Sequence, residues 1–233
     1  MGSEMCIRDR LETLQKDLKL AKLPHWIECF DNSNISGEFP VSSCVVFKDC
    51  MPYKSHYRHF NIKTVIGPND FASMEEVVER RYSRQLNEGN KLPDLILIDG
   101  GKGQLSSAYS ILTKLGLDQE IAIIGIAKRL EELYYPNDSV PLYLDKKSET
   151  LKVLQQLRDE AHRFGITFHR NKRSENFTKS ELISIPGVGD KTVEKLLIAL
   201  KSVDHIKKTG LESIELIVGK DKGRKVFDYF NHS

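Results

Sequence analysis

The sequence predicts a mixed α/β sheet flanked by helices, followed by a small all-α domain. Three observations carry that prediction. Apolar and β-branched stretches separated by turn-rich pieces fill residues 26–62. Amphipathic helices then alternate with fully apolar strands up to residue 173. Beyond Arg173 the chain becomes a series of short helices broken by glycine.

A chain of 233 residues has room for one large domain, or for one of about 150 residues plus a smaller one. Hydrophobic residues make up 39% and charged residues 29%, an ordinary globular balance. No run approaches the ~20 apolar residues that cross a bilayer. No charged-then-apolar secretory pattern is visible at the start of the chain, and the expected location, cytoplasmic, goes with reduced cysteines. A net charge of +2 argues neither for nor against nucleic acid, which leaves the question to local clustering. Cys6, Cys29, Cys44 and Cys50 lack CxxC spacing and read as reduced structural thiols.

The first ten residues, MGSEMCIRDR, have no helical or strand period that carries on past Arg10, and they read as a foreign leader. On that reading the chain is a C-terminal piece of a longer protein, and residues 1–24 are leader and linker-helix remnant. From Leu11 to Leu20, Leu11, Leu14 and Leu18 share one helical face, and Pro24 ends the helix. WIECF (26–30), VSSCVVF (41–47) and YRHFNI (57–62) form a meander of antiparallel strands. FASMEEVVERRYSRQL (71–86) places Met74, Val77, Val78, Tyr82 and Leu86 on one stripe, with Asp70 as the N-cap. DLILID (94–99) is a strand buried on both faces, QLSSAYSILTKLG a helix stopped by Gly116, and EIAIIGIAK (120–128) a second buried strand. PLYLD (141–145) reads as a shorter strand. Leu151, Leu154, Leu157, Ala161 and Phe164 then define the core face of a helix. The polar SENFTK marks a boundary near residues 174–178, giving domains over 25–173 and 178–233.

Two strands end in aspartate, delivering Asp31 and Asp99. Carboxylates at the ends of adjacent strands can converge on a hard divalent cation, although a strand-end aspartate alone is equally a turn former. His162 lies one position beyond the core residue Ala161, with Arg158 and Asp159 a helical turn earlier. It can ligate metal or carry a proton, or it can simply bond Asp159 or Arg158 at the core boundary. GGKGQ fails as a nucleotide loop, because Ile96 and Gly103 stand where the motif needs glycine and Ser or Thr. Its glycines instead let a backbone approach Asp99, and Lys102 offers a charge to a phosphate or to solvent.

ISIPGVGDKTVEKLL has the pattern of a helix-hairpin-helix. Gly187, Val188 and Gly189 make a tight turn whose amides meet an anion at a helix N-terminus, with Lys191 and Lys195 nearby. A second copy, LIVGKDKGRKV, keeps Gly219 with Lys220 but has Asp221 in place of the later glycine. It supports DNA contact in part, or mainly packs against the first.

FDNSNISGE, YRHFNIKTVIGPNDFASMEEVVERRY, LPDLILIDGGKGQL, IGIAKRLEELYYP and LRDEAHRFGITFHRNKRS together resemble the C-terminal half of the UvrC family, the nuclease subunit of bacterial nucleotide excision repair. The resemblance covers roughly residues 11–232. It implies an RNase H-like endonuclease domain and a tandem helix-hairpin-helix domain. It also implies 5′ incision at lesions in double-stranded DNA using Mg²⁺ or Mn²⁺, UvrB as partner with UvrA upstream, and no nucleotide cofactor. The family's metal-binding carboxylates and essential histidine fall on Asp31, Asp99 and His162. The aspartate of GPNDFA, Asp70, is a further functional candidate that also fits a helix cap. Lys102, Arg158, Arg170, Lys172 and Arg173 are expected to contact the DNA backbone. The competing readings are a non-catalytic DNA-binding module and a nucleotide-dependent enzyme using GGKGQ.

Overall fold

The computed structural model describes residues 6–33, 41–65, 69–127 and 131–231, with Ser33 and residues 169–180 described by backbone alone. Parts of the FDNSNISGE, GPND and IGIAKRL motifs lie outside the described residues, as do residues 1–5 of the expected leader.

Helix α1 spans Ile7–Asp17 and so begins inside the stretch expected to be a leader. The Cys6 thiol caps it by accepting from the Asp9 N–H at 3.4 Å. Leu11, Leu14 and Leu18 are fully packed. Once that face is anchored, the helix extends back through polar residues that show no period of their own. Pro24 does not end it. The chain leaves the helix at Lys19, whose φ is 50°, and the Leu20 N–H closes onto the Gln15 carbonyl at 2.9 Å.

Strand β1 (Trp26–Ser33) pairs antiparallel with β2 (Val41–Lys48). The chain then returns along the far edge of β2 in two pieces, β3 (Met51–Pro52) and β4 (Arg58–Asn61), separated by a 3-10 turn. That is the expected meander, with its third strand interrupted. Helix α2 (Asp70–Glu88) comes next. Its cap is Asn69, whose side chain accepts from the Ala72 N–H at 3.1 Å. Asp70 is therefore the first helical residue and not the cap. The inward stripe continues from Tyr82 to Gln85, leaving Leu86 44% exposed.

Strand β5 (Leu95–Asp99), α3 (Lys102–Lys114) and β6 (Ala122–Ala127) add two strands parallel to β1. The last strand is β7 (Glu132–Tyr134), antiparallel to β6. Residues 141–145, expected as a strand, make only one bridge, Leu142 to Leu133. β7 is too short for a readable period, and Glu131 at φ 55° turns the chain back into it. The sheet order is β3-β2-β1-β5-β6-β7, with β4 also on β2.

Alternation along the strands divides the core. Ile27, Cys29, Leu95 and Leu97 face α1 and the first half of α4 (Glu149–Ile183), packing on Leu154, Leu157 and Ala161. Phe30, Ile96 and Ile98 face α2 and α3. On that second face Glu28, with no exposed surface, accepts from Arg81 Nη2 at 2.6 Å, Arg81 Nε at 3.0 Å and the Tyr82 hydroxyl at 3.0 Å. Trp26 Nε1 reaches the same carboxylate at 3.2 Å. Burial and the Glu28 charge push the Tyr82 hydroxyl well above the usual tyrosine range, so it remains a donor.

The chain divides into two compact units, 1–169 and 170–233, and the division falls within α4. SENFTK is accordingly helical. The second unit contains α5 (Asp190–Leu200), α6 (Val203–Lys208), α7 (Leu211–Val218) and α8 (Lys220–Asn231). Its core is built from Leu182, Ile185, Val193, Leu196, Ile206 and Val226, among others.

Removing one partner of a buried ion pair strands the other charge. Glu28→Ala is expected to lower the unfolding free energy by about 3–5 kcal/mol in urea titration. Replacing Glu28 and Arg81 together by apolar residues of similar volume should cost far less.

Candidate metal centre

Asp31 and Asp99 are register partners on the parallel strands β1 and β5. Paired residues in a sheet point to the same side, and both lie in the alternation that faces α4. They are 1% and 3% exposed. Asp31 is not the last residue of its strand, since β1 continues to Ser33 against β2. It is where the ladder with β5 stops, so the sheet opens beyond it.

His162 comes down onto this pair from α4. Its Nδ1 lies 3.1 Å from Asp31 Oδ2, and its side chain is 48% exposed. One ligand atom from each of Asp31, Asp99 and His162 lies within 4.8 Å of the others, about twice a metal–oxygen bond. Two buried carboxylates side by side repel one another and are costly to desolvate without a balancing cation. Two hard oxygen donors with one imidazole, open to solvent on the histidine side, fit a divalent ion that keeps water or substrate oxygens in its remaining positions.

The position of His162 is fixed from the sheet. Ser43 pairs with Asp31 in register and is fully buried, and its hydroxyl donates to the Ala161 carbonyl at 2.8 Å. His59 pairs with Ser43 on the next strand, and its Nε2 lies 3.1 Å from the Phe164 carbonyl. The His59 ring stacks on Phe164 and Phe168 with centroids 3.7 and 4.3 Å away. One row of the sheet, His59–Ser43–Asp31–Asp99, therefore supplies the two carboxylates of the cluster and two anchors for the helix bearing its histidine. Sequence reasoning missed both anchors. The available signal was a small polar residue, Ser43, inside an otherwise apolar strand.

The other expected site residues are dispersed. Arg158 bonds Asp159 at 3.0 Å and lies 3.7 Å from Glu131, with a side chain 16% exposed. His162 therefore turns to Asp31, and Asp159 turns to Arg158. The Lys102 ammonium donates to the Ser139 carbonyl at 2.7 Å and stands 4.8 Å over the Tyr134 ring, holding the loop after β7. Asp70 does not join the three-residue cluster among the described residues, although its carbonyl accepts from Asn32, the neighbour of Asp31, at 2.9 Å. The side chains of Arg170, Lys172 and Arg173 lie outside the described residues.

In the second unit Gly187 has φ 84°, Val188 is buried, and Gly189 opens α5. Lys191 is exposed in the first turn of that helix. In the second hairpin Gly219, φ 89°, alone separates α7 from Lys220 at the start of α8. Asp221, in the position expected for a glycine, pairs with Lys225 at 2.8 Å, and a Cβ on Gly187 would lie 3.1 Å from the Lys225 ammonium. The second hairpin thus packs a basic side chain against the first.

Ser43→Ala is expected to weaken Mn²⁺ binding several-fold in calorimetry, because the helix carrying His162 loses its anchor. Ser43→Thr should restore it, which a purely packing role would not require.

The family model described as the UvrC RNAse H endonuclease domain matches residues 15–166. UvrABC system protein C of Flavobacterium psychrophilum is 62% identical over 218 residues, which is 94% of this chain and 36% of that protein. UvrABC system protein C of Porphyromonas gingivalis strain W83 is 57% identical over 215 residues, 92% of this chain and 36% of that protein. The chain thus spans about a third of the length of these relatives. Among solved structures, the catalytic domain of human Endonuclease V is similar at 14% identity with a TM-score of 0.41, covering 73% of this chain and 89% of that one. The family match covers the sheet, both carboxylates and the histidine, and the chain belongs to the UvrC family.

Proposed function

We propose that this chain is the part of UvrC that makes the 5′ incision at lesions in bacterial nucleotide excision repair, as a DNA endonuclease dependent on Mg²⁺ or Mn²⁺. The observation that carries the reading is the convergence of Asp31, Asp99 and His162 from three separate elements onto one point at the open end of the sheet. Asp31 and Asp99 hold the ion. When bound, such an ion polarises the phosphoryl oxygen and lowers the pKa of the attacking water. His162, fixed by Ser43 and half open to solvent, would either complete the ligand set or take a proton from the attacking water. Gly101, in the turn after Asp99, faces open space and leaves room for the strand being cut.

The helix-hairpin-helix unit binds the duplex backbone without reading sequence, through the amides around Gly187–Gly189 and through Lys191, with Gly219 and Lys220 as a second contact. Lys102 and Arg158 contribute positive potential near the metal centre, and Arg170, Lys172 and Arg173 extend it. UvrB, acting after UvrA, delivers the lesion, and the reaction takes place in the cytoplasm.

Nicking of lesion DNA loaded with UvrB, measured in Mn²⁺, tests the site directly. Asp99→Asn is expected to reduce the rate by at least about a thousandfold, the scale of losing a core electrostatic group. Equal cleavage by both proteins would remove the assigned centre, and cleavage by neither would favour a binding module. His162→Gln separates the two roles of the histidine. Lost Mn²⁺ affinity marks a ligand, whereas retained affinity with a flattened acid limb of the pH–rate profile marks the proton acceptor. Gly187→Val, which φ 84° does not accommodate, should weaken DNA binding and leave Mn²⁺ affinity unchanged.

A further inference from the structure

Phe71, in the first turn of α2, is 53% exposed although it is a large aromatic residue. Its ring lies on the backbone of α3. A Cβ added at Gly103 would come within 2.4 Å of Phe71 Cε1 and 2.8 Å of Cζ, so glycine is required there for the ring to sit where it does. Gly103, in the first turn of α3, lies against the Cδ1–Cε1–Cζ side of the ring, and about half of the residue remains exposed.

The residues on either side bind Phe71 to the metal centre. Asn32, next to Asp31, donates to the carbonyl of Asp70 at 2.9 Å. Gly103 is four residues beyond Asp99, a reach of at most about 15 Å in virtual bonds. With a rise of about 3.4 Å per nucleotide along a strand, the ring is within roughly four nucleotides of a phosphate held at the carboxylates. An exposed aromatic at that distance, rigidly backed and flanked by two helix starts, has the chemistry of a base-stacking platform. Burial does not account for it, since more than half of its surface stays in solvent.

We infer that Phe71 stacks on a base of the DNA strand close to the scissile phosphate, and that Gly103 is glycine so that this ring can be presented. The inference rests on the endonuclease reading above, and it adds a substrate contact that the metal ligands do not provide. A stacked base fixes the register of the strand over Asp31 and Asp99. It does so without selecting sequence, because every base has a π-face.

The test uses the whole chain with duplexes carrying a short unpaired bubble and 2-aminopurine at successive positions, in Ca²⁺. At one position near the incision point, wild type and Phe71→Tyr should change the 2-aminopurine emission in the same way. Phe71→Ala should lose that change and bind about tenfold more weakly. Gly103→Ala, which displaces the ring, should behave like Phe71→Ala, and the double variant should be no weaker than Phe71→Ala alone. Unchanged affinity and emission in Phe71→Ala would overturn the proposal, and so would additive losses in the double variant. Because the readout is binding, nicking with an unaltered emission pattern removes only the stacking role. Binding with the expected pattern but no nicking of UvrB-loaded lesion DNA in Mn²⁺ removes the endonuclease reading and leaves the stacking role standing. No binding of DNA by the wild type overturns both.

Discussion

Asp31 and Asp99 meet as register partners across β1 and β5, with both carboxylates turned to the face that α4 covers. Burying two carboxylates side by side is costly, and much of the first unit keeps them in place. The parallel ladder fixes their spacing. Ser43 and His59, on the next two strands of the same row, hold the α4 carbonyls on either side of His162. If α4 rose from the sheet, the imidazole would leave and the two carboxylates would face each other without it.

The opposite face provides the rigidity this arrangement needs. Glu28, three residues before Asp31 on the same strand, is buried and bound to Arg81 and Tyr82 of α2. Strand β1 is thus fastened on one side by a satisfied ion pair and presents the Asp31 carboxylate on the other. Burial also pushes the Cys29 thiol well above its ordinary range, with Asp99 and Asp31 adding to the effect. The thiol remains protonated and acts as a small apolar filler in the core beneath α4.

The glycine-rich turn after β5 has a different role from a nucleotide loop. A Cβ on Gly100 would strike the carboxamide of Gln104, and one on Gly103 would strike Phe71, while Gly101 faces open space. Side chains of the protein therefore lie against two of the three glycines, with the Phe71 ring against Gly103. Lys102 points to the loop after β7 and stabilises it from within the protein. The turn leads into α3, where Gly103, four residues beyond Asp99, lets the Phe71 ring of α2 lie against the helix.

The sequence by itself determined the order of elements in the first unit, because alternation and helical period are local properties. Asp31, Asp99, His162 and the hairpin glycines were legible because their residue types stand out against apolar surroundings. Where sequence expectation and structure differ, tertiary contacts decided the outcome. Cys6 caps a helix whose first turn has no apolar face, Asn69 and not Asp70 caps α2, and β7 is three residues held by pairing with β6. The same is true of the links that bring the cluster together. Nothing local connects Ser43 to Ala161, 118 residues away, or Asp31 to His162, 131 residues away. Only the parallel pairing of β1 with β5, and α4 crossing their ends, places these groups within bonding distance, because register and helix packing are set by contacts distant in sequence.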